Sequence, residues 1–160
     1  MNKERYLNVL HWAEEKPIRK NILIGLNKVL PVVLAIMYIL SLCMCFFVYP
    51  VYFIRLIIRP AACFILITII RNVVKAPRPY DTYEFVPLCG YHPGKNKSFP
   101  SRHTGSAAII ALEIFHLWRF PGTIALIMAI IVAIVRVVCG NHYIKDVIIA
   151  FLIALLINIL

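Results

Sequence analysis

Two histidines and one carboxylate have the residue types and spacing that phosphoryl transfer needs. The reaction requires a nucleophile in line with the leaving oxygen, cations around the other phosphate oxygens and a proton for the leaving group. His142 and Asp146 are four positions apart, so on a helix the carboxylate accepts from one ring nitrogen and leaves the other as an unprotonated nucleophile. His103 lies beside a predicted helix start, where it can protonate the leaving oxygen and then activate water. These residues predict a phosphohistidine intermediate.

Cations and hydrogen-bond donors accompany these three residues. Arg71, Arg78 and Arg136 can give forked hydrogen bonds to phosphate oxygens. Ser101 and the free amides of the helix that follows it add donors, which the helix dipole strengthens. Arg102 either crowds a phosphate-binding amide or adds a further guanidinium, and the sequence leaves both open. We therefore expect these five residues to bind the phosphate.

Three lysines and one histidine of the loop before Ser101 are expected to have minor roles in the site. Lys75, Lys95 and Lys97 are predicted to contribute at most headgroup contact or electrostatic steering. His92 is predicted to pack within the loop. None of these four is a candidate catalytic residue.

The sequence offers few ligands for a metal ion. On the side of the membrane predicted to carry the site, Asp81, Glu84 and Asp146 are the carboxylates beyond the N-terminal segment, whereas a two-metal phosphatase needs more. The cysteines form no metal-spaced pair. We expect no metal and no cofactor, with arginines stabilising the charge. Cys89 and Cys139 are predicted to lie near the same face of the membrane. A disulfide between them is possible, but we expect two free thiols.

The elements that must position these residues are membrane spans. The 160 residues are 62% hydrophobic with a mean hydropathy of +0.85, more apolar surface than one soluble core of this size hides. We predict one domain over 1–160, an all-α polytopic bundle of about five transmembrane helices. An interfacial helix is predicted over 1–20, and a Pro- and Gly-rich active-site loop over 75–101. The predicted spans are 24–48, 51–73, 102–118, 122–138 and 142–160.

Alternation of these spans brings the candidate site residues to one face of the membrane. The opposite face keeps Arg55, Arg59 and Arg119. Glu113 falls inside the third span, where an ionisable group is costly, so we expect it to pair with His116 or with a basic residue near the opposite face. The net charge of +10 implies an anionic partner, which lipid headgroups supply. We expect a bilayer and a lipid substrate as partners and no nucleic acid; the oligomeric state is open.

The order of three fragments resembles a known signature. The phosphatidic acid phosphatase type 2 family, which shares its fold with vanadium haloperoxidases, has Lys-x6-Arg-Pro, then Pro-Ser-Gly-His, then Ser-Arg-x5-His-x3-Asp. The resemblance covers about 71 to 146. Three positions depart from it, and none removes a catalytic group: Arg71 replaces Lys, Arg102 replaces Gly and Val135 replaces Ser. The matching fragments here are Arg71-x6-Arg78-Pro79, Pro100-Ser101-Arg102-His103 and Arg136-x5-His142-x3-Asp146.

The resemblance implies a small bacterial-type membrane enzyme that hydrolyses a lipid phosphate or pyrophosphate without metal. Undecaprenyl pyrophosphate and phosphatidic acid are the leading substrates, followed by phosphatidylglycerol phosphate and a lipid A phosphate. Two alternatives stay open, a lipid phosphotransferase with the same intermediate and a non-catalytic protein that binds anionic lipid or conducts anions. We expect the bacterial inner or plasma membrane. Bacterial relatives generally work on the outer face of the membrane, and we expect the active site to lie there. The excess of Lys and Arg on the site face favours the cytoplasmic side instead.

Overall fold

The computed structural model describes residues 2–91 and 96–160 of the chain. His92 and Lys95, for which loop packing and headgroup steering were predicted, lie outside these residues. All regular structure in the described part is helical, which confirms the all-α bundle. The helices are α1 Lys3–Glu14, α2 Pro17–Val48, α3 Pro50–Val74, α4 Pro79–Tyr83, α5 Arg102–Leu117, α6 Arg119–Val138 and α7 Ile144–Ile159.

Three stretches of helix in the described residues are long and apolar enough to cross a membrane. They are α2, the stretch Pro50–Tyr83 that contains α3, and α6. The chain is therefore an integral membrane protein. Helices α5 and α7 have 16 residues each, about 24 Å at the α-helical rise, which is shorter than a hydrocarbon core of about 30 Å. That they complete a set of five spans stays a prediction.

Helix α5 lies at the centre and contacts α2, α3, α6 and α7. Small residues along it let its neighbours approach, with Ala107 and Ala111 facing one buried cluster and Ala108 facing another. The first turn of α6 needs Gly122, since a Cβ there would lie 2.1 Å from the Cα of Phe115. The two helices consequently run back along each other in close contact.

The N-terminal segment differs from the single helix predicted over 1–20. Helix α1 ends at Glu14 and α2 begins at Pro17, because proline is favoured in the first turn of a helix and disrupts a helix interior. Tyr6, Leu10 and Ala13 of α1 are buried in a cluster shared with the end of α6 and the loop after α4. Helix α1 thus packs on the protein as well as having an exposed side.

The predicted boundaries need two further corrections. The active-site loop over 75–101 contains one short helix, α4, which begins at Pro79. The last helix begins at Ile144 and not at residue 142, because Gly140, at φ 76°, takes the left-handed conformation that ends α6. His142 therefore lies in the turn between α6 and α7.

Candidate active site

The predicted contact between His142 and Asp146 is present, but its geometry is that of a helix cap. His142 Nδ1 lies 3.3 Å from Asp146 Oδ2. The same oxygen accepts from the backbone N–H of Tyr143 at 3.0 Å, in the capping box that starts α7. The carboxylate is thereby fixed against the turn, and Nε2 is the ring nitrogen left for chemistry.

Two residues that the sequence did not indicate also hold this pair. The Ser98 hydroxyl donates to Asp146 Oδ2 at 2.5 Å, and the Tyr6 hydroxyl donates to the backbone carbonyl of His142 at 3.1 Å. Both are fully buried. No local sequence pattern marks Ser98 as a site residue. The spacing of Tyr6, Leu10 and Ala13, four and then three positions apart, is that of a buried helix face, so it could have indicated that Tyr6 is buried.

Arg71 binds the loop that precedes α5. Its guanidinium, buried in the last turn of α3, donates to the carbonyl of Pro100 at 2.9 Å and to that of Ser98 at 3.4 Å. It also donates to the carbonyl of Lys97. These bonds occupy donors that the sequence assigned to phosphate, so the structure gives Arg71 a role in shaping the segment 97–100.

The first turns of α5 and α7 meet beside this segment. Ser101 caps α5, with its hydroxyl accepting from the backbone N–H of Thr104 at 3.4 Å and from the Thr104 hydroxyl at 3.1 Å. The Ser101 N–H in turn donates to the carbonyl of Asp146 at 3.1 Å. Two positive helix ends therefore converge, and this arrangement favours an anion.

Arg78 and Arg136, both buried, flank the turn that carries His142. Arg78 donates to the carbonyl of Asn141 at 3.4 Å. The carbonyl of Arg136 accepts from the N–H groups of Asn141 and His142 at 3.1 and 3.2 Å. Within the described residues, Arg78 Nε and both side-chain polar atoms of Asn141 are buried without a hydrogen-bond partner. Asn141 thus joins the site as a buried amide that the sequence suggested only as a helix breaker.

Burial lowers the pKa of His142 from its ordinary value of 6.5 to about 4. The positive charges of Arg78 and Arg136 lower it further, while the hydrogen bond to Asp146 opposes the shift. The imidazole is therefore neutral at neutral pH, as a nitrogen nucleophile must be.

His103 and Arg102 lie on the exposed first turn of α5. They line a cavity of about 440 Å³ whose other walls are mostly apolar and come from α2, α3 and α5. The Arg102 guanidinium lies 5.7 Å from the ring centroid of Phe64, so its side chain adds a cation at the cavity. Val135 is buried in the cluster that contains Tyr6 and Leu10 of α1, and its side chain provides no hydrogen-bond donor for phosphate.

The structure thus brings His142, Asp146, Ser101, Arg78 and Arg136 together and places His103 in the first turn of α5. Among the described residues no group of three or more His, Cys, Asp or Glu side chains is positioned to hold a metal ion. Independence from metal stays a prediction.

Comparisons with known proteins show the family and the fold of the chain. The family model of the PAP2 superfamily matches residues 51–160. The fold is similar to the crystal structure of the first transmembrane PAP2 type phosphatidylglycerolphosphate phosphatase from Bacillus subtilis, with a TM-score of 0.73 and 21% identity over 98% of this chain and 80% of that chain. No curated protein sequence matches the chain. The chain belongs to the PAP2 superfamily.

Proposed function

We propose that the protein hydrolyses lipid phosphates through a phosphohistidine on Nε2 of His142. The observation that supports this most is the buried His142–Asp146 contact, which orients a neutral imidazole between Arg78 and Arg136. Nε2 attacks phosphorus while the bond from phosphorus to the leaving oxygen breaks, and His103 gives that oxygen a proton. Water then attacks the phosphohistidine, His103 takes a proton from it, and phosphate leaves.

The negative charge of the phosphate would be met by the converging helix ends and the buried arginines. Arg78 and Arg136 flank the nucleophile, and Ser101 with the amides of α5 supplies further donors. Each well-placed donor contributes about 3 kcal/mol in the transition state. Arg71 acts mainly through the carbonyls of 97–100 that it holds, which keeps Ser98 against Asp146.

The substrate would be an amphiphile that keeps its chains in the bilayer. The cavity beside His103 has apolar walls from Pro31, Leu34 and Phe64, with Arg102 as its cation. Apart from the segment 75–101, the connections between helices are short, which leaves little protein to recognise a large headgroup. Phosphatidic acid and undecaprenyl pyrophosphate fit this description, and the similar fold of a phosphatidylglycerolphosphate phosphatase adds that lipid as a third main candidate.

Phosphate release by purified protein tests the proposal. The panel contains those three lipids and a lipid A phosphate, with and without EDTA. We expect release from at least one lipid, no effect of EDTA, and a loss of roughly a thousandfold or more in His142→Ala. His11→Ala, which changes an exposed histidine of α1, is the matched control and should keep full activity. Unchanged release by His142→Ala would refute catalysis at this site.

Isotopic water separates hydrolysis from transfer to another lipid. If water attacks the phosphohistidine, the released phosphate contains one solvent oxygen. A phosphotransferase would instead pass the phosphoryl group to an added lipid alcohol without solvent oxygen.

A further inference from the structure

Two cysteines meet beside the candidate site, outside the catalytic group. Cys139 is buried at the end of α6, three positions after Arg136 and three before His142. Cys89 is half-buried in the loop that follows α4. Cys89 packs against the buried cluster that contains Cys139, and the two thiols interact. Both side chains carry a sulfur, so this contact can become covalent.

The loop that carries Cys89 is held against the turn that carries Cys139 by contacts of neighbouring residues. The N–H of Leu88 donates to the carbonyl of Cys139 at 3.2 Å. Phe85 lies directly on Gly140, where a Cβ would come within 2.6 Å of the Phe85 ring. A disulfide requires close Cβ atoms and little backbone movement. This packing of the loop on the turn holds the backbone next to both cysteines in place, so the bond needs little backbone movement.

The two thiols differ in reactivity. The hydrogen bond from Cys139 lowers the pKa of Cys89, and the positive charge of Arg136 acts in the same direction, while burial opposes them. The pKa of Cys139 is raised, first by that hydrogen bond and then by burial. Cys89 is half-buried whereas Cys139 is buried, so an external disulfide reaches Cys89. The Cys89 thiolate therefore attacks first, and Cys139 is the resolving thiol.

We propose that Cys89 and Cys139 are a redox-modifiable pair whose disulfide ties the active-site loop to the turn carrying His142. The co-reactant is a small-molecule disulfide. Cys89 thiolate attacks one of its sulfurs and releases one thiol, which leaves a mixed disulfide on Cys89. Cys139 then loses its proton and attacks Cys89 Sγ, releasing the second thiol. Two cysteine thiols are oxidised, and the donor is reduced to two thiols.

The cross-link would close the segment from 89 to 139, which includes Ser101, His103 and Arg136. Restricting that segment in the unfolded chain stabilises the folded one. We therefore expect the thermal midpoint of the oxidised protein to rise by on the order of 5 °C. This inference goes beyond the proposed function, and its test does not depend on phosphate release.

The test uses the full chain with Cys43, Cys45 and Cys63 replaced by Ser, so that Cys89 and Cys139 are the remaining thiols. The purified protein is equilibrated with oxidised and reduced glutathione. Thiols are counted by maleimide mass-tagging after unfolding, and the linked peptides are identified by mass spectrometry. We expect both thiols to be lost within the monomer, a linked peptide pair, the rise in thermal midpoint, and reversal by dithiothreitol.

Single replacements assign the two roles. In the same background Cys139→Ser should stop at a mixed disulfide of Cys89 with glutathione, and Cys89→Ser should leave the buried Cys139 unmodified. Two free thiols at every glutathione ratio, a mixed disulfide that persists while Cys139 is present, or a link between chains would each overturn the proposal. Peptide mapping of the wild-type chain gives the same readouts if the triple serine background does not fold.

Discussion

One carboxylate oxygen sets the orientation of the proposed nucleophile. Asp146 Oδ2 accepts from His142 Nδ1, from the Tyr143 N–H and from the Ser98 hydroxyl. These three donors come from two chain segments and hold the carboxylate in one orientation. The imidazole that contacts it is therefore fixed as well. In the proposed mechanism this oxygen also stabilises the positive charge that develops on His142 as its bond to phosphorus forms.

We expect Asp146→Asn to lower kcat roughly a thousandfold or more, by the precedent of an amide replacing the carboxylate that orients a catalytic histidine. The amide can still accept with its oxygen, so the turn should fold. Ser98→Ala keeps the charge and loses one hydrogen bond to it, for an expected loss of about tenfold. Steady-state phosphate release measures both. Equal losses in the two variants would contradict a role for the charge.

The lowered pKa of His142 predicts how stability depends on pH. Between about 6.5 and about 4 the unfolded chain takes up a proton at His142 that the folded chain excludes. The contribution of His142 to the free energy of unfolding is therefore complete above pH 6.5 and is lost as the pH falls toward 4. The stability gap between wild type and His142→Ala should shrink by up to about 3 kcal/mol from pH 7 to pH 4. Denaturation in detergent at several pH values measures it, and a constant gap would show that His142 titrates normally.

At the scale of the helices, local signals account for most of what could be predicted. Long apolar runs and the prolines and glycines between them placed α2, α3 and α6, and the spacing of His142 and Asp146 paired these residues. The spacing could not distinguish a helix interior from a capping box, because both bring positions i and i+4 together. The contact of Tyr6 with His142 joins positions 136 apart, and no local pattern encodes such a contact.

Helices α3, α5 and α7, which carry site residues at one end, are joined by ion pairs and hydrogen bonds at the other. Glu113 of α5, 1% exposed, accepts from Arg55 Nε at 3.1 Å, from Arg59 at 3.2 Å and from the Asn158 amide at 2.7 Å. This confirms the predicted pairing of Glu113 with a basic residue. The other expected partner, His116, contacts Asn158 at 2.9 Å.

Removal of Glu113 should destabilise the bundle more than removal of either arginine. Glu113→Ala leaves two partly buried cations without their counter-charge, for an expected cost of about 3 kcal/mol. Arg55→Ala leaves Glu113 still bound by Arg59 and Asn158 and should cost less. Thermal unfolding in detergent measures the order. Because Glu113 is about 18 Å along α5 from Ser101, kcat of the folded variants should stay near wild type, and a lost kcat would place the cluster in the catalytic machinery.

The whole molecule has two polar ends with different chemistry. At one end Arg71, Arg78 and Arg136 belong to the candidate site, and α1 packs there through Tyr6. At the other end Arg55 and Arg59 neutralise Glu113. An excess of Lys and Arg normally marks the cytoplasmic side. In the proposed function Arg78 and Arg136 bind phosphate and Arg71 holds the loop beside them, so the number of these arginines does not indicate the orientation.

We expect the candidate site to face the outside of the cell. A single reporter cysteine at Asp81→Cys, an exposed position of α4, should react with a membrane-impermeant maleimide in intact cells, in a background without the native cysteines. Arg119→Cys, at the turn between α5 and α6, should react only after permeabilisation. The reverse pattern would place the site in the cytoplasm. It would also remove the oxidising surroundings in which disulfides persist, so the Cys89–Cys139 pair would then be reduced in the cell even where purified protein forms the bond.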